Sequence, residues 1–199
     1  MRKQVRPDEP EVLTENADEW NARWKATREK NPSAKFVWYK WKRKSSREWL
    51  LPALRELNQE HCCFCDAAPL PGVSAEPIEH FRPKSDSRFY DLAYTWPNLF
   101  YACEACQSSK LNRWDDRLIA PDETDYTFER YFAFDFSTGA ISPNPHASID
   151  EKDRARETIH LFGLDSEIRR RRRRETLRKW QNSNLRDIDD FPYRDFLTS

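Results

Sequence analysis

The chain has 199 residues, the size of one domain or of one core with appendages. Its 34 Lys and Arg cancel its 34 Asp and Glu, which excludes a uniformly basic coat for nucleic acid and confines any basic contact surface to a patch. No apolar run is long enough to span a membrane and no apolar segment of the secretory type follows Met1, so the expected location is cytoplasmic; eight Trp, twelve Phe and seven Tyr argue against disorder.

Arg6-Pro7-Asp8-Glu9-Pro10 reads as an extended entry, because a residue before proline is pushed out of the helical region. From Glu11 to Lys30, Val12, Leu13, Ala17, Trp20 and Trp24 recur at helical spacing, and Asn31-Pro32-Ser33 ends the run. Residues 35–44 then hold five cations and four aromatics with no acid. Interleaving of this kind suits single-stranded nucleic acid, whose bases stack on rings beside a charged groove. In a chain with few aliphatics the preferred reading packs most of these rings inward and leaves Lys40, Lys42, Arg43 and Lys44 for phosphates. A second helix is expected from Ser45 or Ser46 to about Asn58, with Trp49, Leu50, Leu54 and Leu57 inward.

Cysteine spacing dominates the centre. Cys62-Cys63-Phe64-Cys65 and Cys103-Glu104-Ala105-Cys106 each place two thiols three positions apart. Four thiolates from two such knuckles, Cys62, Cys65, Cys103 and Cys106, can close a tetrahedron around a structural Zn²⁺, with Cys63 a bystander and His61 a minor alternative ligand. The competing reading is five buried thiols acting as small hydrophobes. Between the knuckles, Pro77–Arg82 is expected as a short strand and Leu92–Trp96 as a second extended piece, and a helix is expected from Cys103 onward. Beyond the centre, Tyr131–Phe136 and the turn at 137–139 suggest a hairpin. Helices follow at about 149–162 and 165–182, with Gly163 placed as a C-cap and Asp165 or Ser166 as an N-cap. The run Arg169–Arg174 sweeps more than a full helical turn, so at least one arginine must face the body or a partner. The tail Asp187–Phe196 either docks on another chain or folds back.

The insert between the knuckles carries the residues for chemistry. Hydrolysis of a phosphodiester requires a base for water, a cation for developing charge and rigid placement. His80 suits the base, and Glu79 suits a hard cation such as Mg²⁺ or Mn²⁺. The Asn98 amide can tie down the backbone around His80. On the expected helix, Gln107 offers a second oxygen ligand and Lys110, one turn later, a contact for phosphate; Arg82 and Lys84 are further candidates for nucleic-acid contacts. One difficulty stands: Glu79 and His80 would point to opposite faces of a regular strand unless it bends or ends there.

Glu-His-Phe-x-Pro-Lys, Trp-x-Asn-Leu and Cys-x-x-Cys-x-x-x-Lys resemble the zinc-bearing branch of the HNH endonucleases, with its ββα-metal core. The Arg-Pro-x-x-Pro opening and Asn-Leu-Phe-Tyr-Ala-Cys are closest to the PtuB-like nuclease subunits of Septu-type antiphage systems. The tight matches cover about residues 60–112. The resemblance implies His80 as general base, Glu79 as metal ligand and Asn98 as the orienting residue. It puts Gln107 where the family usually has Asn or His, so Glu104 or a water on Ser108 is an alternative source of help there. It further implies antiviral defence and a PtuA-like ATPase partner.

The expectation is an α+β protein in which a zinc-stabilised ββα core at 60–120 sits between an N-terminal helical segment at 1–59 and a C-terminal hairpin-and-helix segment at 121–199. It is expected to act as a metal-dependent endonuclease on DNA, with RNA the alternative substrate, leaving 5′-phosphate and 3′-hydroxyl ends. The rival readings are a zinc-organised nucleic-acid-binding module without catalysis and a protein adaptor.

Overall fold

Residues 1–73, 78–184 and 187–198 are described by a computed structural model of the chain. Helices alternate with three two-stranded antiparallel sheets, a mixed α and β architecture. Among the described residues no helix is long and apolar enough to cross a membrane.

The N-terminal run forms two helices where one was expected, α1 (Glu11–Thr14) and α2 (Ala17–Lys30). Asn16 Nδ2 donates to the Val12 carbonyl at 3.0 Å, so its side chain takes a backbone acceptor at the break between them. The basic stretch then makes a hairpin that its composition did not announce, β1 (Lys40–Trp41) against β2 (Lys44–Ser45). Its two turn residues, Lys42 and Arg43, have φ of 44° and 71°, the left-handed conformation that Asn-Gly normally supplies in such turns. Tertiary anchors hold this turn instead: Trp41 Nε1 donates to Glu15 at 2.9 Å, and Trp49 Nε1 donates to the Trp41 carbonyl at 3.1 Å. α3 (Ser46–Leu57) follows as expected, burying Leu50, Leu54 and Leu57, although Trp49 stays half-exposed against the hairpin.

In the centre, a short α4 (Leu70–Val73) precedes β3 (Ile78–His80), which pairs antiparallel with β4 (Leu99–Tyr101) in the register Glu79↔Phe100 and His80↔Leu99. The expected start of the strand at Pro77 lies outside the described residues. The stretch Leu92–Trp96 is not extended. It lies between 3₁₀ turns at Ser87–Leu92 and Trp96–Asn98, where Thr95 N–H returns to the Leu92 carbonyl and Asn98 N–H to that of Thr95. Arg6 reaches from the extended entry to clamp this loop, donating to the carbonyls of Trp96 and Leu99 at 3.0 Å and to Asp122 at 2.5 Å. α5 (Glu104–Lys110) begins at Cys103, and a close stack of Phe64 on Phe162, 3.9 Å between ring centres, joins the first knuckle to the C-terminal helices.

After α6 (Phe128–Tyr131), the expected hairpin appears as β5 (Phe132–Asp135) and β6 (Ala140–Pro143). α7 (Ile149–Leu161) starts with a reciprocal cap: Glu151 N–H donates to Ser148 Oγ at 3.2 Å, and Ser148 N–H to the Glu151 carboxylate at 2.9 Å. Gly163 turns the chain with φ +59° and lies so close to α5 that an added Cβ would fall 2.7 Å from Ser109 Oγ. α8 (Glu167–Gln181) then begins after Ser166. Asp165 spends its carboxylate elsewhere, on Ile141 N–H and the Arg170 guanidinium, both at 2.9 Å. The tail folds back and ends in α9 (Arg194–Thr198), with Arg194 wholly buried on Asp66 and Phe196 in the interior.

Candidate functional site

The four knuckle cysteines converge. All four sulfurs of Cys62, Cys65, Cys103 and Cys106 lie within 4.8 Å of one another, all four residues are buried, and two of the sulfur pairs stand at 3.8 and 3.6 Å. A tetrahedron with zinc–sulfur bonds of about 2.3 Å has edges of about 3.8 Å, so the donor set fits such an ion. Backbone N–H groups point at the sulfurs, Cys103 N to Cys62 Sγ at 3.3 Å and Cys106 N to Cys103 Sγ at 3.4 Å. The cluster could therefore hold a structural metal such as zinc. Cys63 lies apart, its thiol pushed up to about 12 by burial. His61 points away from the cluster, its ring nitrogens meeting the carbonyls of Gln59 and Phe191 at 2.6 and 3.0 Å.

Beside this centre, Glu79, His80, Pro83, Lys84, Gln107, Ser108, Leu111 and Asn112 line a cleft of about 250 Å³. The strand problem is resolved by where β3 stops. His80 is its last residue, the chain turns after it, and the Phe81 N–H bonds the Asn98 carbonyl at 3.0 Å, so neighbours in sequence reach one cleft. His80 Nε2 donates to the Ala93 carbonyl at 2.9 Å. That bond fixes the tautomer and makes Nδ1 an acceptor, to which Lys84 Nζ donates at 3.3 Å. Burial, reinforced by the charges of Lys84 and Lys110, holds the His80 pKa well below 6.5, so the ring is a free base at neutral pH. Trp38 stacks on the imidazole at 5.6 Å and Phe36 meets it edge-on at 5.0 Å.

Asn98 bonds the backbone at two places near His80. Its Oδ1 accepts from Arg82 N–H at 2.7 Å, and its Nδ2 donates to the carbonyls of Arg82 and Leu92 at 3.0 and 2.9 Å. The amide thus ties the turn after His80 to the loop that supplies Ala93.

Lys110 is placed differently from the expectation of a phosphate contact. It has no solvent exposure, and its ammonium donates to Glu79 Oε1 at 2.8 Å and to the His80 carbonyl at 3.1 Å. Burial raises the Glu79 pKa, opposed by Lys110, Lys84 and a hydrogen bond from Gln107. Gln107 Nε2 also leans on the Ile78 carbonyl at 3.3 Å. The side-chain oxygens that Glu79 and Gln107 could offer a divalent ion are thus those of a carboxylate already bonded by Lys110 and Gln107 and of the Gln107 amide.

The basic residues divide. Lys84 lines the cleft, and Arg82 is exposed beside it with its guanidinium 5.2 Å from the Trp114 ring centre. Lys40, Lys42, Arg43 and Lys44 are exposed on the β1–β2 hairpin and do not line the cleft. Lys42 is engaged there by Glu11 at 3.3 Å and by the Trp41 ring at 3.7 Å. Sequence reasoning did not reach Ala93 or Asn112 as parts of the site, nor the contact between Arg169 and Cys106 described below. The aromatic stretch had signalled packing without showing that His80 was the surface it packs on.

No protein-family profile matches the chain, and no curated protein matches it.

Proposed function

We propose that the chain is a metal-dependent phosphodiesterase of the HNH type, cutting nucleic acid with His80 as general base. The observation that carries this reading is the division of labour on one imidazole: Nε2 is committed to the Ala93 carbonyl, while Nδ1 accepts, among the described residues, only from Lys84, a side chain of the cleft shared with Glu79 and Gln107, which a bound phosphate would draw off to admit the water. The order β3–β4–α5, with Glu79-His80 on the first strand, Asn98 before the second and Gln107 on the helix, agrees with a ββα-metal core.

In this reading Nδ1 accepts a proton from the attacking water as the new oxygen–phosphorus bond forms and the bond to the 3′ oxygen breaks. The leaving 3′ oxygen takes its proton from solvent, giving 5′-phosphate and 3′-hydroxyl ends. Lys84 supplies positive charge beside the phosphate. A divalent ion held by Glu79 and Gln107 would supply further charge for the leaving oxygen. Zinc in the four-cysteine cluster would act only as scaffold, fastening both ends of the 66–102 insert. Work in antiviral defence beside an ATPase subunit, with DNA as the target, rests on the motif resemblance alone.

A second reading, a zinc-organised nucleic-acid-binding module without catalysis, draws on one observation: the Lys110 ammonium already occupies an oxygen of the residue assigned as metal ligand. Incubating supercoiled plasmid and a tRNA pool with wild type and His80→Ala, under Mg²⁺, Mn²⁺ or EDTA, separates the two. Metal-dependent cleavage lost in His80→Ala supports the nuclease and identifies the polymer. Salt-sensitive binding that survives His80→Ala, with no cleavage by wild type, supports the module.

A further inference from the structure

The arginine run contains one member that the proposed chemistry does not use and that solvent does not reach. Arg169 is buried, and its guanidinium spreads over three acceptors: Nη2 donates to Cys106 Sγ at 3.1 Å, and Nη1 donates to the carbonyls of Phe162 and Gly163 at 2.5 and 2.7 Å. The two carbonyls belong to the end of α7 and the turn into α8, and the sulfur belongs to α5. Arg169 therefore links the C-terminal helical pair to the cysteine cluster through a charged hydrogen bond, while Gly163 presses the same turn onto Ser109.

Charge explains why an arginine belongs there. A Zn²⁺ ion with four thiolates carries a formal charge of about −2, and a buried net charge is costly unless a counter-charge meets it. The cluster also has an open side. A cleft lined by Cys65, Cys103, Ser108, Ile168, Arg169 and Tyr193 approaches it from solvent, so a chelator or a leaving ion has a route, and Arg169 stands on it.

We propose that Arg169 is a positioning residue for the metal centre: its guanidinium compensates the tetrathiolate charge at Cys106, slows metal loss and ties the α7–α8 pair to the loaded cluster. This rests on the zinc reading of the cysteines and is independent of the nuclease reading.

Co²⁺ reports on the sulfur directly, because a tetrathiolate site gives intense sulfur-to-metal charge-transfer bands, and a coloured chelator gives the rate of Zn²⁺ loss. Wild type, Arg169→Met, Arg169→Lys and Arg173→Met would be compared after circular dichroism shows which are folded. We expect Arg169→Met to shift the charge-transfer bands and to release Zn²⁺ at least tenfold faster. Arg169→Lys, which keeps the charge but not the fork, should fall between it and wild type. Arg173→Met removes a buried guanidinium that ties the same arm to the Gly139 and Leu164 carbonyls and leaves the Arg169–Cys106 contact intact, so it should leave the bands in place.

Bands and release rate in Arg169→Met equal to those of wild type would overturn the proposal. So would a band shift in Arg173→Met as large as in Arg169→Met, which would reduce the effect to loosening of the arm. If Arg169→Met does not fold, Arg169→Lys decides: wild-type bands with a wild-type release rate overturn the proposal, and intermediate values support it. A wild type that takes up neither Zn²⁺ nor Co²⁺ removes the zinc reading, and the proposal with it.

Discussion

Lys110 and Glu79 form an ion pair in which the ammonium is wholly buried and the carboxylate nearly so. Removing one partner leaves an uncompensated charge, so Lys110→Met is expected to destabilise the fold by about 3–5 kcal/mol, and Glu79→Gln combined with it should recover much of that loss. Urea unfolding of the two singles and the double measures the coupling. Asn98 is a different kind of residue, since its amide makes three hydrogen bonds that set where His80 points. Asn98→Ala should remove three hydrogen bonds from part-buried backbone groups at Arg82 and Leu92, lowering stability by about 1–3 kcal/mol. The proposed cleavage should fall with it, because the Ala93 carbonyl that fixes the His80 tautomer belongs to the same loop. A folded Asn98→Ala that cleaves at the wild-type rate would remove its positioning role. His80 shows how much of the site was legible. The Glu79-His80 pair, the Asn98 amide and the helix carrying Gln107 were all readable, because their spacing along the chain is a property of sequence. The depth of Lys110 was not, since burial depends on what packs above it, and here Glu79 and the His80 carbonyl hold its ammonium inside the fold.

At the scale of elements, legibility followed local signals. The 132–143 hairpin, α7 and α8 were marked by the turn at 137–139, by Gly163 and by Asp165 or Ser166, and each formed within a few residues of expectation. The β1–β2 hairpin and the turns at 87–98 were not, because their conformation is set by partners distant in sequence, such as Glu15 under Trp41 and Arg6 under Trp96. The arginine run resolves in the same way. Arg169 and Arg173 face inward at helical spacing, while Arg170 pairs with Asp165 and Arg171 with Glu175 on the surface, so two of the six are buried and two more are engaged within the chain. Phe162 is the element-scale test of the C-terminal arm, because it stacks on Phe64 between the first two knuckle cysteines. Phe162→Ala is expected to cost about 3–5 kcal/mol, read in urea, and to loosen protection of α7 and α8 against hydrogen exchange. An effect confined to α7 would mean that the arm is held elsewhere.

Across the whole molecule, the ends of the chain converge on the knuckles. The N-terminal amine pairs with Asp195 at 3.1 Å, and Arg194 donates to Asp66, one residue beyond Cys65, at 2.7 Å. The proposed zinc would therefore brace the insert that carries the site, and the tail and arm that lean on it. Prolonged chelation should lower the thermal midpoint by well over the roughly 2–4 °C that a 1 kcal/mol loss produces in a chain of this size. Calorimetry with and without chelator tests this, and an unchanged midpoint after proven metal removal would mean that the aromatic core suffices alone. The most direct test of the account is the single-turnover rate at which folded, zinc-loaded His80→Ala cuts the polymer that wild type cuts in Mg²⁺. The account predicts a rate lower by about 10²–10⁴, the usual contribution of a general base, with no change in zinc content. Equal rates for the two proteins would contradict it and place the base, or the activity, elsewhere.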